Sequence, residues 1–225
     1  MSIRIPLIVT VILAGAMLGL SLWAWPLLPA HTPIVTHWDF NGRPNGYMGK
    51  TMALLFGPVG AILLSSLFAL FPRIEPRKIN LASSAKFYRA VWIGSLCVLM
   101  VAHGVIVATA LHHALNVGGV LMSTVAGLFI VLGNYLGKTR SNFFAGVRTP
   151  WTLSSEYSWE HTHRLAGRLF MATGAATIAA LIVYPSKIAI FVLLAMTTLT
   201  AVVAIVMSYI YWSRDPARYT GRLVQ

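Results

Sequence analysis

Between Arg89 and Lys138 run 48 consecutive residues without a Lys, Arg, Asp or Glu. As one helix this run would be roughly 70 Å long at about 1.5 Å per residue, more than twice the hydrocarbon thickness of a bilayer. It must therefore turn back. The one polar break, His112-His113-Ala114-Leu115-Asn116-Val117-Gly118-Gly119, is where it does so. Two apolar helices joined by a tight connection fit the run. Within hydrocarbon the backbone must satisfy its own hydrogen bonds, so the spans are helices.

The pattern repeats along the chain. Further uncharged stretches give six spans, at about 5–25, 51–71, 87–111, 117–137, 167–184 and 188–212. A soluble bundle would carry charge on about a quarter of its residues. This chain is 10% charged and 57% hydrophobic, which excludes that class. Span 1 reads as a membrane helix rather than a secretion signal, because its apolar core is longer than such signals carry. The fold class is an all-α, polytopic membrane protein with six transmembrane helices.

Orientation follows the cations. With the N-terminus inside, 14 of the 17 Lys and Arg fall on the cytoplasmic side, leaving only Arg43, Lys50 and Lys187 outside. Both termini are therefore expected inside the cell. The net charge of +12 is concentrated in short loops that meet anionic lipid headgroups. No nucleic-acid recognition motif accompanies it, so no direct nucleic-acid binding is expected. The single cysteine, Cys97, excludes an intrachain disulfide and reads as a small hydrophobe packed inside span 3. The spans divide into residues 1–112, with an outer loop at 26–50, and 113–225, with an inner loop at 138–166. Each set reads span, long loop, span, short connection, span. Three spans per set make the second an inverted copy of the first, an arrangement common in transporters.

The loops carry the candidate chemistry. In the outer loop, Asp39-Phe-Asn-Gly42 and Arg43-Pro-Asn-Gly46 read as two tight turns. His37, Asp39, Asn41 and Arg43 are its binding candidates. His31, His37 and Asp39 are metal-ligand types, but a hydrogen-bonded loop is the better reading, and no metal or cofactor is expected. In the first inner loop, Glu75 paired with a neighbouring arginine would contribute little if exposed. The second inner loop holds two tryptophans and several arginines, unlike an ordinary short polar connector. From Ser154 or Ser155 it reads as a capped amphipathic helix to Arg168, with Trp159, His163, Ala166 and Gly167 on one face. His161 and His163, two apart on a helix, point too far apart to share an ion. The candidates here are Asn134, Arg140, Asn142, Arg148, Trp151, Trp159, His163 and Arg164. Asn134 and Asn142 are expected to bond to backbone groups that turns leave unpaired. The arginines suit a carboxylate or phosphate, from Glu156, Glu160, a lipid headgroup or a protein partner.

His37-Trp38 followed by Asn41-Gly-Arg-Pro-Asn-Gly-Tyr47 resembles the N-terminal domain of unknown function found in SdpI-like proteins, and Pro72-Arg-Ile-Glu-Pro-Arg-Lys78 resembles that family's first inner loop. Gly133-Asn134, Asn142-Phe143, Gly146-Val-Arg-Thr-Pro-Trp-Thr-Leu153, Trp159 and Thr162-His-Arg-Leu-Ala-Gly167 resemble its C-terminal signature. The resemblance implies a multi-pass protein of the bacterial plasma membrane and not an enzyme. It implies immunity to a secreted antimicrobial peptide toxin met on the outer face, and signalling by holding a cytoplasmic transcriptional repressor on the inner face. A transporter of small molecules or ions, or a membrane enzyme, is the other class. Intramembrane polar groups would favour it, and the spans offer few: His103 most clearly, read as bonding to a helix carbonyl or hydroxyl.

Overall fold

The computed structural model describes residues 1–31 and 33–219. Six long helices are apolar enough to cross a membrane: α1 (Arg4–Ala24, continued by a 3-10 turn to Leu27), α2 (Lys50–Ile74), α4 (Ala85–Ala110), α5 (Val117–Leu136), α7 (Glu156–Val183) and α8 (Ser186–Ser213). Short helices α3 (Lys78–Ser83) and α6 (Pro150–Ser154) lie in the connections between them, and α9 (Pro216–Tyr219) follows α8. Ile8, Val11, Ile12, Ile62, Leu63 and Ile182 point outward, as side chains facing lipid tails do.

Two elements differ from the sequence reading. The loop after α1 is an antiparallel hairpin of β1 (Ile34–Trp38) and β2 (Pro44–Met48), not two successive turns. Asp39-Phe-Asn-Gly42 does turn, with Gly42 at φ 78 and its N–H donating to the Asp39 carbonyl at 2.9 Å. Arg43-Pro-Asn-Gly46 instead runs into β2. Gly46 lies opposite His37, where a Cβ would come within 2.8 Å of the His37 Cβ. The second difference is α7. It runs unbroken from the Ser155 cap through Gly167, so the loop expected at 138–166 ends at residue 155. Gly167 continues the helix because α7 crosses α5 there in near backbone contact. A Cβ at Gly167 would lie 2.6 Å from the Gly133 carbonyl oxygen, and one at Gly133 would lie 2.5 Å from that of Gly167. One crossing later, Gly174 has the same relation to the Ala126 oxygen. Small residues let membrane helices approach this closely.

Helices α1, α2 and α4 pack on one another; α7 packs between α5 and α8; the two sets meet chiefly along α4 and α5. The long helices alternate in direction. The β-hairpin and the connections at 111–116 and 184–185 share one end, the hairpin face, where Ser186 Oγ donates to Asn116 Oδ1 and Phe40 lies 6.2 Å from Phe191. The α2–α4 connection, residues 137–155 and the segment after α8 share the other, the cap face. Arg43, Lys50 and Lys187 belong to the hairpin face, and the other described cations to the cap face. Arg222 and the Arg218 side chain lie outside the described residues.

The interior of the first set is polar in two places. Pro58 sits inside α2 and has no N–H to offer the Leu54 carbonyl four residues before it. Ser21 Oγ of α1 lies 2.7 Å from that oxygen and takes the donor's role. His103 of α4 is buried beside it, with Nε2 3.0 Å from Ser21 Oγ and 3.2 Å from the Met17 carbonyl. The expected bonding to a carbonyl and a hydroxyl is what the structure has. Gly57 makes room, since a Cβ there would meet His103 Nδ1 at 2.5 Å. Nearer the cap face, Trp92 donates to Ser65 Oγ at 2.9 Å and stacks on Phe68.

Candidate functional site

The cap is built around Asn142, which is fully buried. Its carboxamide oxygen accepts from the N–H groups of Phe144 (3.0 Å) and Ala145 (2.7 Å), and its nitrogen donates to the carbonyls of Arg140 (2.7 Å) and Ala145 (3.2 Å). One side chain thus closes the turn on itself, and leaving those groups unpaired would be costly. The turn is fastened to α7 through His163. The Val147 N–H donates to His163 Nε2 at 2.8 Å, so the ring is neutral with its proton on Nδ1, which donates to the Trp159 carbonyl at 2.7 Å. The ring stacks on Trp159 at 3.9 Å. Gly146, at φ 123, passes over the ring; a Cβ there would lie 2.3 Å from His163 Nε2. Trp159 is wholly buried and its indole N–H donates to the Thr139 carbonyl at 3.1 Å. It is an interior anchor between α7 and the start of the cap.

The cap is tied to the ends of α2, α4, α7 and α8. Glu75, fully buried, accepts from the Arg77 N–H at 2.8 Å and from the Phe143 N–H at 3.0 Å. Its partners are two backbone amides, not the exposed arginine pairing expected. The Arg77 guanidinium reaches Ser141 Oγ and the Leu153 carbonyl and lies over the Phe143 ring. Ser84 Oγ accepts from the Arg140 N–H at 2.9 Å. Thr149 caps α6 and donates to Ser208 Oγ of α8 at 3.0 Å; Ser155, the cap of α7, donates to Asp215 Oδ2 at 2.5 Å. Trp151 meets Tyr209 edge to face.

Arg140, Arg148 and Arg164 project from this frame and are exposed. Arg148 donates to the Phe143 carbonyl at 2.7 Å, and Arg164 pairs with Glu160 at 2.5 Å one turn away on α7. An exposed pair of this kind adds little stability. Asn134 is exposed on α5 and stands outside the turn it was expected to brace. The remaining candidates thus separate into a buried frame (Asn142, Trp159, His163) and an exposed fringe (Arg140, Arg148, Arg164, with Trp151 half-buried).

On the hairpin face, His37 Nδ1 donates to Asn45 Oδ1 at 2.5 Å, joining the two strands. Asp39 accepts from the N–H groups of Asn41 (2.8 Å) and Arg43 (2.9 Å). The Arg43 amide first, then that of Asn41 and the Arg43 charge, hold the Asp39 carboxyl below the usual range. His37 and Asp39 lie on the rim of a cleft of about 200 Å³ whose floor includes Ala102 and Ile106 of α4, Leu121 of α5 and Ile190 of α8. Asn41 and Arg43 act here through their backbones. No group of three metal-ligand side chains gathers among the described residues.

Residues 138–209 match the SdpI/YfhL protein family, and residues 12–62 match a domain of unknown function (DUF1648). The chain is 22% identical over 211 residues to the immunity protein SdpI of Bacillus subtilis (strain 168), covering 92% of this chain and 96% of that protein. The chain thus resembles the SdpI/YfhL family in its C-terminal segment and the Bacillus subtilis immunity protein along most of its length. It is a multi-pass protein of the bacterial plasma membrane. No solved structure matches it. The segment that matches the SdpI/YfhL family holds the cap, α7 and most of α8, and the DUF1648 segment holds the hairpin. Glu75 and Arg77 were missed as site residues although they lie in a recognised motif. The available signal was a lone carboxylate among basic residues between two prolines.

Proposed function

We propose that this chain is a member of the SdpI family and an immunity protein that protects its cell from a secreted antimicrobial peptide. The observation that carries the reading is the match to an immunity protein along nearly the whole length of both chains. The protein sits with both termini and the cap in the cytoplasm, as the cation distribution favours, and the hairpin faces outward. The toxin engages the hairpin cleft, whose apolar floor and polar rim suit an apolar side chain flanked by backbone amides. The floor draws on α4, α5 and α8, so an occupant touches both helix sets. The cap, bonded to the ends of α5, α7 and α8, carries that event to its exposed arginines, where an acidic surface of a cytoplasmic repressor docks. The protein performs no covalent chemistry in this reading.

The test compares survival of cells exposed to candidate secreted peptides, with and without the protein, alongside immunoblots of membrane abundance. Leu121→Trp fills the cleft, and Arg148→Glu reverses charge on the cap. Leu121→Trp at normal abundance is expected to lose protection, and Arg148→Glu to keep protection while releasing the repressor from the membrane fraction. Full protection by Leu121→Trp would refute binding in the cleft. Absence of protection by the wild-type protein against every peptide tried would refute the immunity role for those peptides.

A further inference from the structure

Between α4 and α5, along the seam of the two helix sets, lies a second cavity, of about 470 Å³. Its walls are apolar, with Ile93 and Val98 on α4 and Leu128 and Val131 on α5. Its floor exists because Gly94 has no side chain: a Cβ there would lie 2.3 Å from Leu128 Cδ1. Cys97 opens onto it and is exposed, not buried inside the bundle as its sequence context suggested. Along α4 the lining runs from Arg89 to Val98, roughly 14 Å at about 1.5 Å per residue. That is close to the depth of one leaflet's hydrocarbon, half of about 30 Å.

The mouth of this groove is on the cap face and is cationic. Arg89 and Tyr135 line it, and the Lys138 ammonium lies 5.6 Å from the centre of the Tyr135 ring. The Arg89 Nε is buried and has no hydrogen-bond partner. Among the described residues the one ion pair is Arg164–Glu160, so no carboxylate answers Arg89. A buried donor without an acceptor is costly, and an anion entering the groove would supply one while pairing with the Arg89 charge.

We propose that this groove holds one anionic phospholipid of the cap-side leaflet, its phosphate on Arg89 and Lys138 and one acyl chain along Ile93, Cys97 and Leu128. Basic pockets between transmembrane helices take such headgroups, the acyl chain matches the leaflet depth, and the groove is open at its side, where Cys97 is exposed. Because its walls come from α4 and α5, the lipid is part of the contact between the two helix sets.

The test uses the purified full chain in detergent with equal phosphatidylglycerol and phosphatidylcholine, read by native mass spectrometry. The wild type is expected to retain one phosphatidylglycerol. Arg89→Gln should lower that retention about fivefold, the factor that one basic group is worth at an anionic surface, and Val98→Trp, which fills the groove, should lower it as well. Arg168→Gln, an exposed cap-face control, should not. In vesicles, N-ethylmaleimide should alkylate Cys97 more slowly in phosphatidylglycerol than in phosphatidylcholine, and Arg89→Gln should remove the difference. Equal retention of both lipids by the wild type, undiminished retention by Arg89→Gln, or equal alkylation in both vesicles would each overturn the proposal.

Discussion

Among the described residues Gly146 and Gly42 are the two glycines at positive φ, and they answer a substitution differently. At Gly42 an added methyl meets nothing within 4 Å, so Gly42→Ala is expected to cost about 1 kcal/mol, the backbone strain alone. At Gly146 the methyl also runs into His163 Nε2. Displacing that ring breaks the Val147 bond and the Trp159 stack, so Gly146→Ala should cost about 3 kcal/mol. Thermal unfolding in detergent, followed by tryptophan fluorescence, separates the two; equal losses would mean His163 does not brace the cap. Asp39 gives a pH dependence. Its carboxyl is held below 3.8 by the amides of the turn, so its contribution is complete above that value and is lost as pH falls through the lowered one. Pepsin cleavage of the hairpin should therefore stay slow at pH 4 and rise only in stronger acid. Asp39→Ala should already be cut rapidly at pH 4.

At the scale of elements, the proline in α2 and the serine in α1 form one device. Ser21→Ala removes the donor that serves the Leu54 carbonyl, and Pro58→Ala supplies a backbone donor instead. In a double-mutant cycle the serine should matter less once Pro58 is replaced, with a coupling of about 1 kcal/mol, within the range of interhelical bonds in membranes. Additive losses would disprove the pairing. The spans themselves were legible because charge-free runs have sharp ends; α5 and α8 begin and end within two residues of the expected bounds. The continuity of α7 was not. Ser158 and Thr162, one turn apart, look like the polar face of a surface helix, yet both are buried, and Ser158 donates to the Ser208 carbonyl of α8. The strand at 44–48 was hidden because glycine and proline mark turns and short strand edges alike. Glu75 was misread because nearby arginines in sequence suggested an exposed pair, whereas one of its partners is 68 residues away.

For the whole molecule, the orientation is tested with single cysteines in a Cys97→Ser background. Asn45 is exposed on the hairpin face and Ser154 on the cap face; Ser155 is buried as a helix cap and unsuitable. A cysteine at Asn45 should react with an impermeant thiol reagent in intact cells, and one at Ser154 only after permeabilisation. The reverse pattern would place the cap outside. We also propose that residues 1–112 and 113–225 are inverted copies. Each set is a helix, a long connection and two further helices, with the long connections at opposite faces. Superposing α1, α2 and α4 on α5, α7 and α8 with the membrane normal reversed decides it, and failure of the helix axes to overlay sinks the idea.

The serine that completes α2 has a consequence for biosynthesis. Ser21 is made 33 residues before Leu54, so α1 leaves the ribosome before the proline-bearing helix and can enter the bilayer ahead of it. The bare carbonyl of that later helix then enters hydrocarbon beside a waiting hydroxyl. A rearranged gene that placed α1 last would encode the same contacts, but α2 would have to insert with that oxygen unpaired, at a cost of several kcal/mol. The order of the helices along the chain is therefore itself part of how the protein is assembled.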